Sequence, residues 1–134
     1  MIRPALLAAA LAAAGPALAT EVTFEVSGIE AQGGHVLVVL YDEGSFLKKP
    51  LKAARLDPVV GKVSGAFRDV PEGVYAISAI HDLNDNNRLD SNMIGIPTEP
   101  YGFSNNPKLW GPPRFSDAKV SIEGSTQHFA IQLR

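Results

Sequence analysis

The strongest constraint on this chain is a two-residue hydrophobic rhythm. In residues 21–27, Val22, Phe24 and Val26 alternate with Glu21, Thr23 and Glu25. Successive side chains of a strand point to opposite faces, so this run predicts a β-strand with one buried and one wet face. Residues 35–41 (HVLVVLY) are apolar almost throughout, which predicts a central strand covered on both sides. Residues 59–70 resume strand character, with Val63, Ala66 and Phe67 as apolar candidates. In residues 74–80 (VYAISAI), Tyr75, Ile77 and Ala79 share a face, and residues 118–122 and 128–133 repeat the pattern. In residues 45–58, Phe46 and Leu47 are candidates to plug the core from a loop, and Lys52–Leu56 fit either one helical turn or an irregular edge. Gly33-Gly34, Pro71-Glu72-Gly73 and Glu123-Gly124-Ser125 supply the turns between runs. About seven strands with almost no helical period predict an all-β fold. The expected form is a single immunoglobulin-like or prealbumin-like sandwich with one long ordered loop.

Residues 1–19 break the pattern. They read MIRPALLAAALAAAGPALA, with Arg3 ahead of an Ala/Leu run, Gly15-Pro16 ending it, and Ala17-Leu18-Ala19 in the small-x-small form of a cleavage site. The apolar run is shorter than the roughly 20 residues that span a bilayer. The expected organisation is a signal peptide at 1–19 and a β-sandwich domain at 20–134, periplasmic or secreted, with no transmembrane segment in the mature chain. The chain has 12 basic and 14 acidic side chains, a net charge of −2, so it lacks the basic face a phosphate backbone requires. No nucleic-acid partner is expected. Without cysteine, neither disulfides nor thiolate chemistry is open to it.

Residues 81–113 hold nearly all the unusual chemistry. Every asparagine of the chain lies there, with half of its ten prolines. So do enough apolar side chains to pack, which predicts a rigid folded loop rather than a disordered one. The loop opens with Asp82, Asn84, Asn86, Arg88 and Asp90 at every second position. Wound tightly, it turns side-chain oxygens inward at positions one, three, five and nine, and the Arg88 carbonyl joins them at seven. Calcium takes about six to eight such oxygens, so these five residues form a candidate calcium site. Asn87 stands at position six, where the backbone needs positive φ. Met93 stands where an EF-hand has its glutamate, so the loop is of a shorter kind set between strands. The alternative is an Asx network in which these side chains bond backbone amides without a metal. Asp85 falls between ligand positions and is expected to point outward or act as an outer acceptor.

No serine, cysteine or lysine sits in a recognisable nucleophile context, and no phosphate loop is present. His81 follows the apolar face of its strand, which favours a hydrogen-bonded histidine at the strand end over a catalytic one. Tyr101, Phe103 and Trp110 either cap the core or line a groove. With His81 and Glu99 they make up the candidate ligand or partner surface.

The run GVYAISAIHDLNDNNRLDSNMIGIPTEPYGFSNN, residues 73–106, resembles the central signature of the family called domain of unknown function 2141. That signature pairs a His-Asp with an Asn/Asp-rich stretch and then G-I-P-x-E-x-Y-G-F-S-N. One departure is Asn87, where members often carry glycine. The resemblance implies a bacterial exported protein with a single β domain and brings no activity with it. The expected function is that of a non-enzymatic exported module, with calcium as candidate cofactor, presenting a surface to a protein or small-molecule ligand. Two alternatives are a hydrolase-like enzyme using His81, Asp82 and Glu99, and a carrier of a small hydrophobic molecule.

Overall fold

The first alternating run becomes β1 (Ala19–Ile29), with Val22, Phe24 and Val26 fully buried and the residues between them facing outward. A computed structural model describes residues 19–91, 93 and 97–134. Of the expected leader, only Ala19 falls within them. The chain continues through β2 (His35–Tyr41), β3 (Lys52–Leu56), β4 (Gly61–Pro71), β5 (Gly73–Asp82) and β6 (Tyr101–Phe103). After α1 (Phe115–Ala118) come β7 (Val120–Ile122) and β8 (Thr126–Gln132). The first sheet has the order β4-β1-β8, with β1 antiparallel to β4 and parallel to β8. The second has the order β3-β2-β5-β6, and β7 pairs with the start of β5. The fold is an all-β sandwich.

The inner faces of both sheets form one core. Val22, Phe24 and Val26 of β1 meet Val36, Val38 and Leu40 of β2 and Tyr75, Ile77 and Ala79 of β5. Two bulges tune which residues enter it. The β1–β4 register shifts between Ser27 and Ile29, where Gly28 has φ +84°, and the extra residue returns Ile29 to the buried face. A second shift lies opposite Thr20 and Val22, with Asp69 at φ +56° on the bulged strand. It lets Phe67 and Val70 both face inward although three positions separate them. Ala66, expected among the apolar candidates of this strand, lies on the outer face and is exposed.

The second sheet is covered on its outer face too, which explains why β2 and β5 read as nearly continuous apolar runs. Ala76, Phe103 and Ala118 are buried there, packed with Phe46, Tyr101, Leu109 and Phe115. The ambiguous 45–58 segment yields β3, an edge strand beside β2. The expected long loop is shorter than its sequence suggests. It contains β6, paired with β5, and a bridge between Ser91 and Pro97. Among the described residues, no helix is long and apolar enough to cross a membrane.

Candidate functional site

Directly opposed residues of an antiparallel pair share a face. Along β2 and β5 the outer-face pairs run His35–Asp82, Leu37–Ile80, Val39–Ser78 and Tyr41–Ala76. On the far side of β5, Tyr101 lies opposite Ile80 and Phe103 opposite Ser78. This face therefore grades from a charged end at Asp82 to an apolar end at Tyr41. The loop after β5 braces the charged end and walls the apolar one.

Asp82 anchors the brace. Its carboxylate is fully buried and accepts the backbone N–H of Asn86 at 3.2 Å and of Asn87 at 2.5 Å. Asp85 and Asn87 turn the chain with φ of +57° and +61°, the left-handed region asparagine and aspartate tolerate best among non-glycine residues. Gly34, at φ +68°, lies flat against the same turn, and a Cβ there would overlap the Asp82 carbonyl oxygen. His35 donates from Nδ1 to Asp85 at 2.5 Å, and its Nε2 lies 3.4 Å from the Asp82 carboxylate. Arg55 on β3 reaches Asp85 and Asn87, each at 3.3 Å.

Glu99 closes the other side. One carboxylate oxygen accepts the Leu83 N–H at 2.6 Å and the other the Asp90 N–H at 2.9 Å. The two ends of the loop are thus clamped by one side chain. Asp90 receives the side-chain amides of Asn84 at 2.6 Å and Asn86 at 2.7 Å. The Asn86 amide, opposed by desolvation and joined by Asn84, holds the Asp90 carboxyl below its ordinary value. Arg88 contributes its backbone N–H, which bonds the Asn86 side-chain oxygen at 3.1 Å. The five candidate ligands Asp82, Asn84, Asn86, Arg88 and Asp90 therefore do come together, as a self-bonded network. Among the described residues, no group of three or more His, Cys, Asp or Glu is arranged to hold a metal.

Two residues expected at the surface, His81 and Glu99, are buried. His81 is 1% exposed because strand alternation turns it to the inner face, where its Nε2 donates to the Gly33 carbonyl at 2.7 Å. Glu99 faces inward because the loop amides it accepts are inside. Tyr101 and Phe103 lie on the floor of a cleft of about 750 Å³ against the outer face of the second sheet, Phe103 being itself buried in the smaller apolar cluster. Tyr41, Ser78 and Ile80 share that sheet face, and Leu89, Pro97, Leu109, Pro112 and Pro113 of the following loop line the rest of the cleft. Trp110 is 96% exposed and stands beside a smaller depression of about 260 Å³ with Lys108 and Arg134.

The family comparison turns on the same strand and loop. A family model described as "Uncharacterized protein conserved in bacteria (DUF2141)" matches residues 24–130. The chain belongs to DUF2141. No curated protein and no solved structure matches it. In this DUF2141 chain the matched span covers the core of β1, the whole braced loop and every residue named above on the cleft.

Several contributors had no sequence signal of their own. His35 and Asp85 are far apart in the chain, and only the β2–β5 register brings them together. Tyr41 and Leu47 looked like a strand end and a loop plug. Ser78 had the clearest signal, as a hydroxyl within the apolar run VYAISAI on the face opposite Tyr75, Ile77 and Ala79.

Proposed function

We propose that this chain is an exported, non-enzymatic β-sandwich module that binds a small apolar molecule in the cleft on its second sheet. The Asp/Asn-rich loop serves as the brace that holds one wall of that cleft in place. The cleft itself carries the reading. Its volume of about 750 Å³ lies within the roughly 300–1,000 Å³ of ordinary small-molecule sites, and like them it is mostly apolar with a few polar groups. Its place on the outer face of the second sheet, not between the sheets, leaves it open without breaking the main core. Burial of the His81 ring against Gly33 argues against an acid–base role with Asp82 and Glu99. The leader-like residues 1–19 support export.

Saturable fluorescence enhancement of diphenylhexatriene, an all-hydrocarbon probe, tests this reading on the purified protein. One site is expected, and it should be lost in Ile80→Asp, which sets a charge on the cleft floor. Absence of saturable binding, or retention of it in a folded Ile80→Asp protein, would overturn the proposal.

Calcium binding by the loop is the second reading, favoured by the convergence of Asn84, Asn86 and Asp90. It requires both asparagine amides to turn over, so that oxygens instead of Nδ2 groups meet the Asp90 carboxylate across a cation. Thermal unfolding in EDTA and in millimolar calcium separates the two states. A rise in melting temperature with calcium, absent in Asp90→Ala, supports the ion. Identical curves support the self-bonded network.

A further inference from the structure

Resting on the reading of the cleft as a binding site, we infer that its ligand is a neutral, predominantly apolar molecule with one hydrogen-bonding oxygen, such as a long-chain alcohol, a ketone or a phenol, held by Ser78 and Tyr41. Three observations meet on the cleft floor.

The first is Ser78. It is 2% exposed and lines the cleft, and its Oγ has no hydrogen-bond partner. Nearly all buried polar groups are paired, and an unpaired hydroxyl is costly. Val39 and Phe103 flank it on the neighbouring strands and offer it nothing polar. Tyr41, two residues on from Val39, brings a second hydroxyl to that face beside Ser78. Burial pushes the Tyr41 phenol up and outweighs the opposing influence of the nearby Ser78 hydroxyl, which stops short of a hydrogen bond to it. Tyr41 therefore stays a neutral donor and acceptor at physiological pH. An oxygen placed between the two hydroxyls would satisfy both.

The second is charge. None of the described side chains lining the cleft is ionisable as an acid or a cation at neutral pH. A carboxylate entering it would shed its hydration with no counter-charge to replace it. A neutral oxygen carries no such penalty, so a free fatty acid is disfavoured against the matching alcohol.

The third is backbone strain at the rim. Leu47 lines the cleft with φ +56°, a conformation rare for a bulky residue. Its side chain is 48% exposed. Strained residues persist where surrounding structure holds them, and they concentrate at ligand clamps. Here the strained residue contributes a half-exposed apolar side chain to the cleft lining.

Competition against bound diphenylhexatriene tests the assignment with decan-1-ol and decanoate at pH near neutral. Decanol is expected to displace the probe at a concentration at least about tenfold lower than decanoate. In Ser78→Ala the ratio of decanol to diphenylhexatriene affinity is expected to fall by about fivefold, since the hydrocarbon probe has no oxygen for the serine to hold. Tyr41→Phe should lower the same ratio, and it serves as the second variant if Ser78→Ala fails to fold. Equal competition by decanol and decanoate, or an unchanged ratio in the folded variants, would overturn the neutral-oxygen assignment while leaving the cleft a binding site. Failure of diphenylhexatriene itself to bind would overturn both.

Discussion

Single residues decide whether the loop after β5 holds its shape. Asp82 is the clearest case, a buried carboxylate taking two backbone N–H groups that no other side chain is placed to accept. Asp82→Ala is expected to cost roughly 1–3 kcal/mol by leaving those amides unpaired. Chemical denaturation read by far-UV circular dichroism checks it, and an unchanged midpoint would remove the structural role. Asp90 adds a pH signature. Its carboxyl is held down by Asn86 and Asn84, so its ionised form contributes stability that is present above the ordinary carboxylate value of 3.8. That contribution is lost as the pH falls through the lower, folded value. The side-chain amide signals of Asn84 and Asn86 should titrate together, with a midpoint below 3.8. A midpoint at or above that value would show that the two amides do not hold the carboxylate.

At the scale of elements, β6 is the piece that ties the molecule together. It pairs with β5, and Tyr101 exchanges backbone hydrogen bonds with Arg134, just beyond β8. Ser104 extends the join, taking the Ile77 N–H at 3.0 Å and donating to the Ala118 carbonyl at 2.5 Å. Gly102 permits the close approach, since a Cβ there would stand 2.5 Å from the Gln132 carbonyl oxygen and 3.0 Å from Ile131 Cγ2. Gly102→Ala is expected to lower stability by roughly 1–3 kcal/mol through overpacking. It should also weaken diphenylhexatriene binding, because Tyr101 and Phe103 ride on the displaced strand. Wild-type stability and binding in that variant would show that β6 has room to shift.

The whole molecule shows where sequence is readable and where it is not. The strands of the main core were legible because alternation is a local property, and Val22, Phe24, Val26, Tyr75, Ile77 and Ala79 all entered the core as expected. The turn at Asn87 was legible because spacing alone demanded a positive φ. Ala66 lies outside by plain alternation, since Val63 and Phe67 take the inner face and Ala66 is adjacent to Phe67; apolar character alone did not separate the two. The burial of Glu99 was invisible because its partners, Leu83 and Asp90, are backbone amides that carry no residue type. The aromatic run was legible only as a cap or a groove, for a related reason. A two-sided apolar strand looks the same whether its second face is fully covered or left partly open.

The parallel pairing of β1 with β8 sets the order in which this chain can mature. Thr23 bonds His128 across that pair at 2.7 Å, joining the beginning of the domain to its end. A contact so distant along the chain is slow to form, and it cannot form before the last segment is present. During synthesis, β1 lacks one of its two neighbours until β8 has been made. A polypeptide built this way keeps its first sheet unfinished until both ends of the domain are present.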